Sequence, residues 1–334
     1  LMLLSLTLTA CDESSRSAKQ PGLTTIRIAS WSLPITEQIN LLAEDKDFFS
    51  PHQVAIKFIP GAGGSDAINK IIAGEADIAF ADPGALFSGL ARGEKLVALY
   101  DIYPQNVFNV VSLTSSNIRS PKDLKGKKIG VYSDTSGTKR NLLAVLRQAR
   151  LRASDVEIIE TGVLNFDPLI HGQVDATSAT DTALVAAQAN GLGEVNVIQV
   201  KDYFNYSSDL FVVTEATYAQ KKEQLHAFLA GYKTSVRWMI ENVDEAAQQA
   251  VKYAVDGKNI AHNATIITLR NTSSLPLSGE LSELGLIDFN NLQDAANMYY
   301  EMGLISRPLD LRPVVDSQYR LPLWSGNNSS MLTR

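Results

Sequence analysis

The chain has 334 residues, 45% hydrophobic and 20% charged, with a formal net charge of −6. That composition belongs to a globular protein with a sizeable core, and the length fits two lobes rather than one small domain. Basic residues are scattered, so no electrostatic footprint for nucleic acid is present. No internal run of about 18 apolar residues marks a membrane span.

Cys11 is the single cysteine. An internal disulfide, a cysteine-rich zinc site and CxxC redox chemistry are therefore excluded. His52, His171, His226 and His262 lie far apart and form no HExxH pattern. No metal and no cofactor are expected.

Residues 1–10 read LMLLSLTLTA, apolar and uncharged. The run is too short to span a bilayer but suits the core of a secretory signal. Leu8-Thr9-Ala10-Cys11 resembles a bacterial lipobox, which makes Cys11 the expected site of lipid attachment. No positive segment precedes the run and the chain begins at Leu1, so the start is read as incomplete. Residues 12–20 (DESSRSAKQ) are polar, like a tether.

From residue 25, short apolar runs alternate with amphipathic stretches. Strands are predicted at 25–29, 54–59, 78–81 and 97–100, with helices at 34–43 and 67–73. Gly74 closes the second helix as a C-terminal cap. A second series follows, with strands at 128–131, 156–160, 175–179 and 195–200 and helices at 139–149 and 167–171. Residues 223–255 predict one long helix with Trp238 and Met239 on its apolar face. The β-α-β-α order predicts an α/β fold with mostly parallel sheets flanked by helices. An internal echo supports two equivalent units: Gly74-Glu-Ala-Asp77 leads into a strand ending at Asp82, and Gly172-Gln-Val-Asp175 into one ending at Asp181.

Three stretches carry a family resemblance. They are GEADIAFA at 74–81 followed by Asp82-Pro83, SPKDLKGKKIGV at 120–131, and Ser136-Gly137-Thr138 followed by Leu142-Leu143. Over roughly residues 24–255 the chain resembles the periplasmic solute-binding proteins of ABC importers for nitrate, sulfonates, taurine and thiamine-pyrimidine precursors, the NMT1/THI5-like family. The resemblance implies a type II two-lobe fold with two crossing strands, near 107–113 and 210–213. The expected organisation is a signal remnant with the lipobox cysteine over 1–11, a tether over 12–23, the first lobe over 24–110 and the second over 111–212. C-terminal helices over 213–334 return to the first lobe. It implies a lipid-anchored receptor that hands a small molecule to an inner-membrane ABC permease. Such a protein is a monomer with no catalytic step and no nucleic-acid partner. It would sit on the periplasmic side of the inner membrane, or on the cell surface of a Gram-positive organism.

Ligands of open α/β sheets sit beyond the carboxyl ends of the strands. That rule selects Trp31 and Ser32, the glycines Gly63 and Gly64, and Asp82 in the first lobe. In the second it selects Ser136, Gly137, Thr138, Asn165, Asp181 and Tyr203. Trp31 offers a stacking platform, though it equally suits the edge of a core. Gly61, Gly63 and Gly64 serve a turn or let backbone N–H groups approach a ligand. They complete no GxGxxG, and no Walker A pattern occurs. Ser136-Gly137-Thr138 opens a helix, as an N-cap or as a site for a polar ligand group. Asp82 and Asp181 are expected to face each other and to favour amine or ring N–H donors. With Trp31, the aromatic cluster Tyr203, Phe204 and Tyr206 hints at a heteroaromatic ligand. Pyrimidine, riboflavin-like, sulfonate, taurine and nitrate ligands all stay open. An extracytoplasmic sensor is the alternative role. A pyrimidine-forming enzyme of the related branch needs cysteines that this chain lacks, and no GxSxG hydrolase motif is present.

Overall fold

A computed structural model describes residues 22–30, 32–162 and 166–320. The expected lipid-attachment site Cys11, the signal run and most of the tether lie outside them, as do Trp31 and Asn165. Strands β1 (Thr24–Ala29), β2 (Val54–Ile59), β3 (Ile78–Ala81) and β4 (Leu96–Tyr103) belong to one sheet. Strands β5 (Phe108–Leu113), β6 (Lys128–Val131), β7 (Glu157–Glu160), β8 (Ala176–Thr180) and β9 (Val195–Gln199) form a second. Strand β10 (Asp209–Thr214) then returns to the first.

The strand orders are β2-β1-β3-β10-β4 and β7-β6-β8-β5-β9. In each, the first three strands are parallel and the fourth runs antiparallel to its neighbours. That fourth strand is the one that has just arrived from the other lobe. Each sheet is therefore mixed. The expected boundaries at residues 110 and 212 fall inside β5 and β10, and the connections between lobes are 104–107 and 200–208. The stretches expected to cross, near 107–113 and 210–213, are β5 and β10, each of which enters its sheet directly after the chain has passed from the other lobe.

Alternating side chains build cores on both faces of the first sheet. Leu210 and Val212 point into one, with Ala79 and Ala81, while Phe211 and Val213 point into the other, with Ile26 and Ile28. Helices α1 (Ile39–Leu42), α2 (Gly64–Ile72) and α3 (Pro83–Ala91) follow strands of the first lobe, and α4 (Gly137–Gln148), α5 (Asp167–Ile170) and α6 (Asp181–Ala189) those of the second. Then come α7 (Glu215–Glu241), α8 (Val243–Tyr253), α9 (Ile260–Ser274) and α10 (Phe289–Glu301).

Here the single helix expected over 223–255 is two, because Asn242 takes a non-helical backbone and its side chain donates to the Trp238 carbonyl at 3.0 Å. Helix α7 packs on the first sheet, as the C-terminal return predicts. The return also reaches across. Helix α9 packs against α6 of the second lobe, and Met298 of α10 lies against the cores of both lobes.

The lobes are closed on each other. The Ser65 N–H donates to the Thr135 carbonyl at 3.0 Å, and the Thr135 hydroxyl donates to the Ala62 carbonyl at 3.0 Å. Gly63 makes this approach possible. Its φ is +118°, and a Cβ there would stand 2.9 Å from the Ser136 Cα in the opposite lobe. Gly63→Ala is expected to leave both lobes folded but hold them apart. Small-angle scattering checks this: the radius of gyration of the variant should exceed that of the parent, and an unchanged value would contradict the closure argument.

A second expectation concerns the returning connection. The Ser207 hydroxyl donates to the Asp101 carboxylate at 2.5 Å, while the other carboxylate oxygen is buried without a partner among the described residues. Burial lifts Asp101 from the ordinary 3.8 to about 7, against the opposing Ser207 bond. Between those values the folded state binds a proton that the unfolded state does not, so stability falls as pH rises through that window. Asp101→Asn keeps the acceptor for Ser207 and removes the titration. Its Tm relative to the parent should therefore climb from pH 5 to pH 8, and a flat difference would refute the assignment.

Candidate ligand-binding cleft

The carboxyl ends of the parallel strands of both sheets meet at one cleft, with a cavity of about 540 Å³. That volume is in the usual range for sites of small organic ligands. Phe80 of β3 and Tyr103 of β4 line it from the first lobe, and Phe108, Phe166 and Ile170 from the second. Leu33, Ile35 and Val255 add apolar surface. The side chains here are aromatic because each stands at the end of a strand or the start of a helix, where a flat ring covers the exposed core edge.

Gly63, Gly64, Asp82, Ser136, Gly137 and Thr138 all line the cleft. The glycines are fixed by space as much as by conformation. A Cβ on Gly64 would collide with the Asp82 carboxylate, and one on Gly137 would stand 2.7 Å from the Phe108 ring. The hydroxyls of Ser136 and Thr138 are spent within their own turn. They bond each other at 2.6 Å, Ser136 donates to the Ser133 carbonyl at 2.7 Å, and Thr138 accepts from the Tyr132 N–H at 2.9 Å.

The expected pair of acidic groups is arranged differently from the sequence reading. Asp82 caps α3 by accepting from the Ala85 N–H at 3.1 Å, and it pairs with Arg140 of α4 at 3.1 Å. Arg140 also bonds the Ser65 hydroxyl. Asp181 is held by a different cation, Arg270 of α9, at 3.1 Å. Burial raises the Asp181 carboxyl above its ordinary range, with Arg270 pulling the other way. The two aspartates are thus neutralised separately, since a carboxylate leaving water needs a cation at hand. In the echo the cap itself shifts by one residue: Thr180, not Asp181, accepts from the Ala183 N–H.

Asp181, Ser32 and Tyr203 stand away from the lining. Ser32 is exposed and its hydroxyl meets the Tyr132 hydroxyl at 3.1 Å across the mouth of the cleft. Tyr203 is 40% exposed and is absent from the cleft wall. Its neighbour Phe204 is instead buried in the core of the second lobe, so the aromatic cluster faces inward through Phe204 rather than into the ligand space.

Arg270 is the group that sequence reasoning missed. It is fully buried, and its Nη2 donates to Glu37 at 2.8 Å, to the Thr182 hydroxyl at 2.7 Å and to Asp181. The guanidinium lies over the Tyr103 ring, 4.6 Å from its centre, a cation–π contact. Thr182 in turn donates to Glu37. One arginine thus ties the first lobe, through Glu37, to the second, through Asp181 and Thr182. The signal was present, since Arg270 interrupts a helix whose Ile266 and Ile267 are buried. Asp209 and Asp256 also line the cleft without having been selected. Among the described residues no group of three or more His, Cys, Asp or Glu side chains is placed to hold a metal ion.

Comparison with known proteins places this geometry. A protein of Haemophilus influenzae named for thiamine biosynthesis is 26% identical over 277 residues, covering 81% of this chain and 85% of that protein. A Brucella abortus protein named as a binding protein is 23% identical over 284 residues, covering 81% of this chain and 84% of its own length. The alkanesulfonate-binding protein of Xanthomonas axonopodis pv. citri, solved with MOPS bound, superposes with a TM-score of 0.70 at 17% identity, over 87% of this chain and 98% of that one. That likeness shows the fold: two mixed five-stranded sheets flanked by helices. Residues 38–246 match the family model described as NMT1/THI5 like, and the chain belongs to that family.

Proposed function

We propose that the protein is the extracytoplasmic solute-binding component of an ABC importer and captures a small polar or heteroaromatic compound between its lobes. The observation that carries this reading is the cavity of about 540 Å³ closed between two lobes that touch chiefly through side chains and loop backbone. Such a contact opens without unfolding either sheet. A ligand that binds both walls favours the closed state, and that closed shape is what a permease would recognise. The expected anchor is a lipid on Cys11, which would hold the receptor beside the membrane. No catalytic step is assigned.

Ligand contact is assigned to Gly63, Gly64, Asp82, Gly137 and the rings of Phe80 and Phe108. The wall chemistry favours a heteroaromatic solute over a sulfonate. A sulfonate needs a cationic wall, whereas five carboxylates line this cleft against the one guanidinium of Arg270. The name of the Haemophilus relative, with its link to thiamine biosynthesis, agrees with a pyrimidine-like ligand.

Ala186 lines the cavity from α6 and is partly exposed to it. Ala186→Phe should fill ligand space without touching the interlobe bonds. A true ligand at 100 times its Kd stabilises the parent by about 2.7 kcal/mol. The parent should show that thermal shift with its solute and the variant should lose it while keeping its own Tm. A shift of equal size in both would remove the cleft as the binding site. A deletion strain that keeps uptake but loses a signalling response would favour the sensor role instead.

A further inference from the structure

Five carboxylates line the cleft, from Glu37, Asp82, Asp167, Asp209 and Asp256, against the one lining guanidinium of Arg270. Four of the five are accounted for. Glu37 pairs with Arg270 and Asp82 with Arg140. Asp256 accepts from the Thr36 N–H and hydroxyl, each at 2.8 Å. Asp167 is exposed at the start of α5. Asp209 is the exception. It stands at the first position of β10, beside the end of β3, at the floor of the cleft, and its carboxyl makes no hydrogen bond among the described residues. A polar group left so is answered by whatever enters the cavity.

We propose that Asp209 is the counter-charge for the ligand, and that the cleft takes an organic cation whose N–H donors reach Asp209 while its flat or apolar body lies between Phe80 and Phe108. This rests on the solute-binding reading of the cleft. The charge balance supports it: with Asp82 paired to Arg140, the other four lining carboxylates face the one lining guanidinium of Arg270, which bonds its partners through Nη2 alone. An anionic ligand would meet an acidic wall, and a neutral one would leave the charge of the carboxylate uncompensated.

The groups around Asp209 set how the capture depends on pH. They are Asp82 beyond β3, Asp101 of β4, Glu37 near α1, Arg270 of α9 and Tyr232 of α7. Burial lifts the Asp209 carboxyl well above the usual range, with Asp82 adding to the shift and Arg270 opposing it. The raised pKa favours the protonated carboxyl in the empty cleft, and a bound cation favours the carboxylate. Below the Asp209 pKa, affinity for a permanently charged cation should rise with pH, approaching about tenfold per unit.

The test uses the full chain and three probes of one shape: benzamidine, benzamide and benzoate. Isothermal titration should show benzamidine binding at least tenfold tighter than the other two. In two buffers of different ionisation enthalpy it should report release of up to one proton. Asp209→Asn should keep its fold by circular dichroism, bind benzamidine no better than benzamide, and release no proton. Equal binding of benzamidine and benzamide by the parent, tighter binding of benzoate, or no binding of any probe would each overturn the proposal. Mass spectrometry of a co-purified solute separates the two readings. A neutral or anionic solute displaced by Ala186→Phe overturns the cation and leaves the receptor intact. A cation lost from both variants supports both readings.

Discussion

A guanidinium without water must be answered by anions close at hand, and the closed form of this protein follows from how Arg270 meets that demand. Glu37 comes from the turn before α1, Asp181 and Thr182 from the start of α6, and Arg270 itself from α9. Three segments distant in the chain are brought to one charge. Taking a charge from water costs several kcal/mol, so removing either acidic partner leaves a debit of that order. The aromatic face of Tyr103 beneath the guanidinium gives the remaining side of the group a favourable neighbour. The cleft wall is organised round this cluster, and Arg140 with Asp82 repeats the arrangement on the other flank.

These two arginines also explain why the cavity reads as acidic and aromatic rather than basic. Arg140 is paired with Asp82, and Arg270 bonds Glu37, Asp181 and Thr182 through Nη2. What faces the cavity is ring surface, hydroxyls and five carboxylates, against the one guanidinium of Arg270. The two roles of charge are thereby separated: the arginines hold lobe to lobe, and the unanswered acid is left for the solute.

Much of this was legible in the sequence because it is local. The strands at 54–59 and 78–81 have the bounds that their apolar runs predict. The echo of Gly74 to Asp77 in Gly172 to Asp175 proved to be one device used twice. Each glycine has a positive φ, of +73° and +68°. Each aspartate then accepts the N–H of the lobe's first parallel strand, Asp77 from Arg27 at 2.9 Å and Asp175 from Lys128 at 2.8 Å. The glycines and Ser136 to Thr138 were placed on the cleft by the rule for strand ends alone. What escaped the sequence was long-range. Glu37 and Arg270 stand 233 residues apart, and nothing in either neighbourhood names the other. Tyr203 was read as a ligand aromatic from its cluster, but only packing decides which ring of a cluster turns inward. The break at Asn242 was hidden for a related reason: the apolar spacing continues on both sides of it.

The strand exchange between sheets bears on how the molecule comes into being. Strand β4 is bonded in its sheet only to β10, and β3 is bonded to β1 and β10. Until Asp209–Thr214 has been made, β4 has no ladder partner and β3 has an open edge, while the chain between them builds most of the other lobe. The second lobe gains its fourth strand early, as β5, and so completes its sheet from contiguous chain. The lobe that begins first is thus the one that finishes last. The segment that completes it, β10, also carries Asp209 to the cleft, whereas the last of the cleft lining, Val255, Asp256 and Arg270, follows only with the C-terminal helices.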